Sequence, residues 1–240
     1  MEVDVRRCAG KEVFCTIALR PKAKAPNLRR RQPQIGPIAG PQRLEACSME
    51  AFEHIIKVML EAQGYVVTNN VKFPVRMRTR RADRAEYQTH GYEMDIVAAR
   101  HNSLLLGSVK SFLGSHGVSR QGFQRIADTS KKNHFGQYRV FNDAVIRQGI
   151  FREASKRYGY PKRRIQLALY VGKFYSQDEE PIRRHLRRIR LGAGPVKVVG
   201  LDEIVRGVLK AAESKTYAND PVLMTIKSLH EAGYVRETSE

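Results

Sequence analysis

The chain has 240 residues and a mass of 27.3 kDa, enough for one sizeable domain with extensions or for two small ones. Lysine and arginine number 43 against 24 acidic residues, a formal charge of +19, while 42% of residues are hydrophobic. That balance excludes wholesale disorder and predicts attraction to a polyanion, with nucleic acid ahead of an acidic membrane surface. No apolar run approaches the roughly 20 residues of a membrane helix, and the opening MEVDVRRCAGKEVF lacks the apolar core of a secretory signal. Cys8, Cys15 and Cys47 have no C-x-x-C spacing, which argues against a disulfide scaffold and a zinc site. The expectation is a soluble, cytoplasmic protein without a membrane partner.

Residues 1–48 mix Pro, Gly and basic residues with almost no apolar periodicity, and are expected to form a flexible basic N-terminal arm. Two readings stay open for it, a DNA-binding tail and a dispensable extension ahead of a start at Met49. From Ser48, expected as an N-cap, Phe52, Ile55, Ile56, Met59 and Leu60 recur at helical spacing up to Gly64. A strand should start at 65–67, followed by an arginine-rich ribbon or loop over 71–87. Residues 91–99 and 104–112 read as strands joined by a turn over Arg100–Ser103. The segment from Gly114 to Lys132 opens with glycines and is expected to become a helix, and a longer helix should run from Phe141 to Tyr158. Residues 164–171 read as a buried strand, 181–192 as a helix, 196–200 as a strand, 201–212 as a helix and 219–235 as a capped helix with a following turn. Alternation of strands and helices beyond the central hairpin predicts an α/β domain with a mixed sheet.

The turn over Arg100–Ser103 sets a register in which Asp95 lies opposite Ser108 and Glu93 opposite Lys110, with Cβ atoms about 5 Å apart. Two carboxylates and an ammonium then converge at one end of the hairpin. Oxygen ligands of that kind suit Mg²⁺, and the lysine is placed to orient or deprotonate an attacking water. A cross-strand salt bridge on a sheet surface is the competing reading.

The stretch GYEMDIVAARHNSLLLGSVKS (91–111) resembles the PD-(D/E)xK nuclease superfamily, in particular its Mrr-like and Holliday-resolvase-like members. Gly91, Glu93, Asp95, Val97 and Ala98 match the first motif strand, Gly107 and Lys110 the second, and Glu53 the acidic residue of the first helix. The resemblance implies a restriction-endonuclease-like mixed β-sheet core flanked by helices, over 49–200. Residues 201–240 would be a C-terminal helical segment, packed on the core or forming a partial winged helix. It also implies a metal-dependent DNA endonuclease of restriction, defence or repair type, using Mg²⁺ or Mn²⁺. Asp95 would be the central metal ligand, Lys110 the catalytic lysine and Glu53 an auxiliary ligand, with Gln121 or Gln124 pointing at the site from the following helix. Ser108 stands where the family has a carboxylate. Some restriction enzymes with S-x-K take the acid about fourteen residues after the lysine, which here is Gln124, with Asp128 one turn further on. Glu53 or Glu93 would otherwise fill the position.

Arg76, Arg78 and Arg80 alternate and would share a strand face, with Arg81 beside them, as a track for a phosphate backbone. Arg183, Arg184, Arg187 and Arg188 form one polar helix face with the same potential. His116, among glycines after the lysine strand, is a further phosphate candidate, against the reading that it is incidental. A homodimer is compatible with the sequence, and no P-loop for ATP is present. Two alternatives to the nuclease stay open: an inactive DNA-binding protein on the same fold, and an RNA-binding factor.

Overall fold

The computed structural model describes residues 50–79, 86–123, 134–215 and 219–235, all within the unit Glu45–Glu240. The expected basic arm lies outside them. Helix α1 (Ala51–Ala62) buries Phe52, Ile56, Val58, Met59 and Leu60. Its N-cap is Glu50 rather than the expected Ser48, and Gly64, at φ +81, takes the left-handed conformation that closes the helix. Strands β1 (Val66–Arg78), β2 (Tyr87–Arg100) and β3 (Ser103–Lys110) form an antiparallel meander. The arginine-rich segment is therefore strand as far as Arg78, because Val71, Phe73 and Val75 alternate into the core.

After β3 come two 3₁₀ turns, Arg120–Phe123 and His134–Tyr138, and residues 124–132 of the helix expected within 114–132 lie outside the described residues. Helices α2 (Arg139–Asn142) and α3 (Ala144–Tyr158) replace the single helix expected over 141–158. Asp143 breaks it: its backbone is extended and its carboxylate accepts from the N–H groups of Val145 and Ile146, capping α3. Strand β4 (Ile165–Val171), helix α4 (Glu179–Arg187), a small hairpin of β5 (Arg190–Leu191) and β6 (Gly194–Pro195), strand β7 (Lys197–Val199), helix α5 (Leu201–Ala212) and helix α6 (Pro221–Glu231) complete the order. Helix α4 stops short of the expected residue 192 because Arg190 and Leu191 pair with the hairpin.

The main sheet has the order β1-β2-β3-β4-β7, with β3, β4 and β7 parallel, so the α/β class with a mixed sheet holds. One face carries α3 and α4 over a core that includes Phe73, Leu104, Leu106, Ile150 and Leu167. The other carries α1 and α5 over Ile96, Ala98, Leu105, Tyr170 and Ile204, with α6 adding Val222, Leu223 and Ile226. Helices α5 and α6 thus pack on the same core. Among the described residues no helix is long and apolar enough to cross a membrane.

Phe73 is fully buried, 6.5 Å from the Tyr158 ring and under the Arg157 guanidinium, so it anchors β1 to α3. Phe73→Ala is expected to cost about 3–5 kcal/mol and to lower the thermal midpoint by on the order of 10 °C. A calorimetric midpoint within a degree or two of wild type would contradict this packing role.

Strands β1 and β2 exchange faces at one rung. Val67 packs toward α1, whereas Val71, Phe73 and Val75 pack toward α3. On β2, Met94 packs toward α3 and Ile96 toward α1. Regular alternation would keep each set on one side. The ladder skips Asn70 and Asp95, and Asn70 adopts a left-handed φ of +55. Both strands are kinked there, and the kink puts a carboxylate at the break.

Candidate active site

The β2–β3 hairpin has the expected register, running from Arg100 opposite Ser103 to Ile96 opposite Gly107. The ladder ends there, and the Asp95 carboxylate takes over. Its Oδ2 accepts from the Val109 N–H at 2.5 Å and from the Ser108 hydroxyl at 3.1 Å. Ser108 and Asp95 are thus brought together as the sequence predicted. Lys110 is half-buried at the last residue of β3, roughly 7 Å along the same strand face from Ser108. Its carbonyl accepts from Gly172 N–H at 2.9 Å, which fixes the strand end against the loop after β4.

Glu53 approaches from the first turn of α1 and is only 8% exposed. Burial holds its carboxyl above the ordinary carboxylate range. The negative charge of Asp95, and then that of Glu50, raise it further, while the Asn69 amide and the Glu50 backbone oppose the shift. By hydrogen-bond geometry Glu53 Oε2 and Asn69 Nδ2 are both buried without a partner among the described residues, although the Asn69 amide lies near enough to the Glu53 carboxyl to favour its charged form. Orphaned buried polar atoms are costly, and they cluster where a ligand completes the set. Asn69 was not singled out from the sequence. Its signal was the Asn69–Asn70 pair inside an apolar, β-branched stretch, since asparagine is depleted from strands.

Glu93 does not join this group. It sits one rung from Val71–Met94, opposite Lys72, with Lys72 Nζ 3.5 Å from its Oε2. No rung of the β2–β3 ladder reaches Glu93, so the expected pairing with Lys110 is replaced by an exposed ion pair on the β1 side. No group of three or more His, Cys, Asp or Glu residues suited to a metal occurs among the described residues, leaving Glu53 and Asp95 as the carboxylate pair. Gln124 and Asp128 lie outside the described residues. A larger cleft, of about 710 Å³ between α1, α5 and α6, contains none of the expected site residues.

Among the basic residues, Arg76 and Arg78 are exposed on one face of β1 together with Lys72, opposite Phe73 and Val75. The Arg76 guanidinium lies 4.6 Å above the Tyr87 ring, which is itself on the cross-strand partner of Arg78. Arg80 and Arg81 lie outside the described residues. Arg184, Arg187 and Arg188 are exposed, but Arg183 is not part of their surface. Its side chain is 19% exposed, bonded to Glu179 at 2.8 Å and Glu203 at 2.7 Å, and donates to the Val198 carbonyl at 2.6 Å. It ties α4 to β7 and α5, whereas the expected phosphate face keeps Arg184, Arg187 and Arg188 exposed.

A carboxyl whose value is raised by folding holds a proton that the unfolded chain has released. Stability from Glu53 is therefore full below the ordinary value of 4.5 and is lost as pH rises through the raised one. In metal-free buffer the urea midpoint should fall over this interval in wild type, and Glu53→Gln should flatten the decline. An equal slope in both proteins would show that Glu53 is not perturbed by folding.

No family model and no curated protein matches the chain. Among solved structures it is similar to a "Protein of Unknown Function AF1548", at 14% identity and a TM-score of 0.32, over 76% of this chain and 77% of that one.

Proposed function

We propose that the protein is a metal-dependent nuclease that hydrolyses phosphodiester bonds in DNA. The observation that carries this reading is the buried Glu53 carboxylate, with one oxygen unpartnered among the described residues, close enough to Asp95 for the two charges to oppose each other. Like-charged carboxylates held together in a buried place are stabilised by a cation. Glu53, Asp95 and the Ser108 hydroxyl are all oxygen donors, the type that Mg²⁺ or Mn²⁺ accepts, so the residues present fit a divalent ion. Such an ion supplies Lewis-acid polarisation of the scissile phosphate and a lowered pKa for bound water.

The chain's own residues account for the rest. The Asp95 oxygen fixed by Val109 and Ser108 is preorganised by the hairpin end and keeps its orientation without substrate. The Lys110 ammonium, on the same strand face, stabilises charge developing on the phosphate and orients the attacking water. Exposed Lys72, Arg76 and Arg78 give the β1–β2 ribbon a positive face that leads to Asp95 and suits a phosphate backbone. The resemblance of residues 91–111 to PD-(D/E)xK nucleases, with Ser108 in the acidic position, agrees with this arrangement.

A second reading has its own observation. Asp95 Oδ2 already accepts two hydrogen bonds, and among the described residues only two carboxylates meet, as expected for an inactive DNA-binding protein on the same fold. Incubating supercoiled and branched DNA with Mg²⁺ or Mn²⁺, against a control in chelator, separates the two. Metal-dependent cutting establishes the nuclease, and tight binding without cutting on either substrate establishes the binding protein.

A further inference from the structure

We infer that the loops beyond β3 and β4 form a stacking platform for one unpaired DNA base, beside Lys110. This rests on the nucleic-acid reading above and adds the kind of substrate. The two loops are stitched together: Val118 N–H donates to the Lys173 carbonyl at 2.8 Å, and Tyr175 N–H donates to the Val118 carbonyl at 2.9 Å. Their contact is so close at Gly117 that a Cβ there would lie 2.7 Å from the Phe174 carbonyl carbon, and Gly117 has a φ of +97. Asp178 adds bonds to the Ser119 hydroxyl at 3.1 Å and to the Arg120 N–H at 3.0 Å. The platform is therefore rigid before any ligand arrives.

On it stand His116 and Tyr175, edge to face with ring centroids 6.2 Å apart. Tyr175 is 47% exposed, so its ring is open to solvent on the cleft side. The two rings border a cleft of about 350 Å³ that also presents Gln121, Gln137 and Ser119. A flat aromatic ring with amide and hydroxyl groups around it matches a nucleobase, which stacks by its face and hydrogen-bonds by its edge. The cleft begins at Phe112, two residues after Lys110, so a base held there keeps its phosphate backbone near the lysine. A paired base inside a duplex offers neither free face, so the platform selects single-stranded or branched DNA.

The test uses the full chain in chelator, so that cutting does not enter. Affinity is measured by fluorescence anisotropy for a single-stranded oligonucleotide and for the blunt duplex of the same sequence. Tyr175→Ala should weaken single-strand binding about ten-fold and leave duplex binding unchanged. Tyr175→Phe should restore it, because the ring and not the hydroxyl is required. The hydrogen bonds that stitch the loops survive both changes, since Tyr175 makes them through its main-chain N–H and carbonyl. Unchanged single-strand affinity in Tyr175→Ala, an equal loss on both DNAs, or failure of phenylalanine to rescue overturns the platform. If those results accompany intact metal-dependent cutting, the nuclease reading stands and the platform alone falls. Absence of binding to either DNA by wild type overturns both.

Discussion

Lys110→Ala is expected to reduce DNA cleavage by about 10²–10³-fold, the loss typical for removal of one group that stabilises developing charge. DNA affinity should change little, because Lys72, Arg76 and Arg78 carry the exposed positive face of the ribbon. Lys110 ends a strand that is hydrogen-bonded to β4, and its carbonyl, held by Gly172, is untouched by the substitution. The fold should therefore persist, with a circular dichroism spectrum and melting midpoint close to wild type. Cutting at the wild-type rate by Lys110→Ala, with metal present, would remove the lysine from the reaction.

Asp95→Asn should have the larger effect, a loss of about 10³-fold or more, since several kcal/mol of electrostatic stabilisation depend on the charge that is removed. The amide is nearly the same shape, and its oxygen can still accept from Val109 N–H and the Ser108 hydroxyl. Structure and charge are therefore separated by this one substitution. Removing the Asp95 charge also relieves its repulsion on Glu53, so the Glu53 carboxyl should titrate lower in the variant, visible by NMR. Stabilisation of wild type by Mg²⁺ or Mn²⁺ in thermal melts should be absent from Asp95→Asn. A variant that keeps both metal stabilisation and cutting would place the ion elsewhere.

The hairpin was legible because its two signals agree: a polar turn over Arg100–Ser103 and apolar runs on both sides that fix the register. That register carried Asp95 to Ser108 correctly. It does not extend to Glu93, because β2 changes faces at Asp95 and the alternation is broken there. Asn69 and Asn70 were the visible trace of that break, yet a single asparagine pair does not reveal which strand lies opposite. Asp143 was readable in principle as a helix cap, since aspartate before an apolar helical run is a strong start signal. Arg183 was half legible: Glu179 lies one turn before it on the same helix, but Glu203 comes from α5, and no local pattern shows that approach. Long-range ion pairs of this sort depend on packing and leave no periodic mark. The buried, unpartnered Glu53 oxygen is likewise a product of how α1 docks on the sheet.

The shared kink of β1 and β2 has a consequence for the edge of the sheet. A slip by two residues normally preserves which side chains face inward, so parity alone does not forbid it. Here the face exchange on β1 must meet the face exchange on β2 at the Asn70–Asp95 rung. A two-residue slide would set the reversed half of one strand against the unreversed half of the other, exposing Phe73 or Met94 and burying charged partners. β1 is an edge strand, where sliding and recruitment of a second chain are the usual hazards. The break that orients Asp95 thus also acts as a detent, leaving the ribbon a single alignment in which to fold.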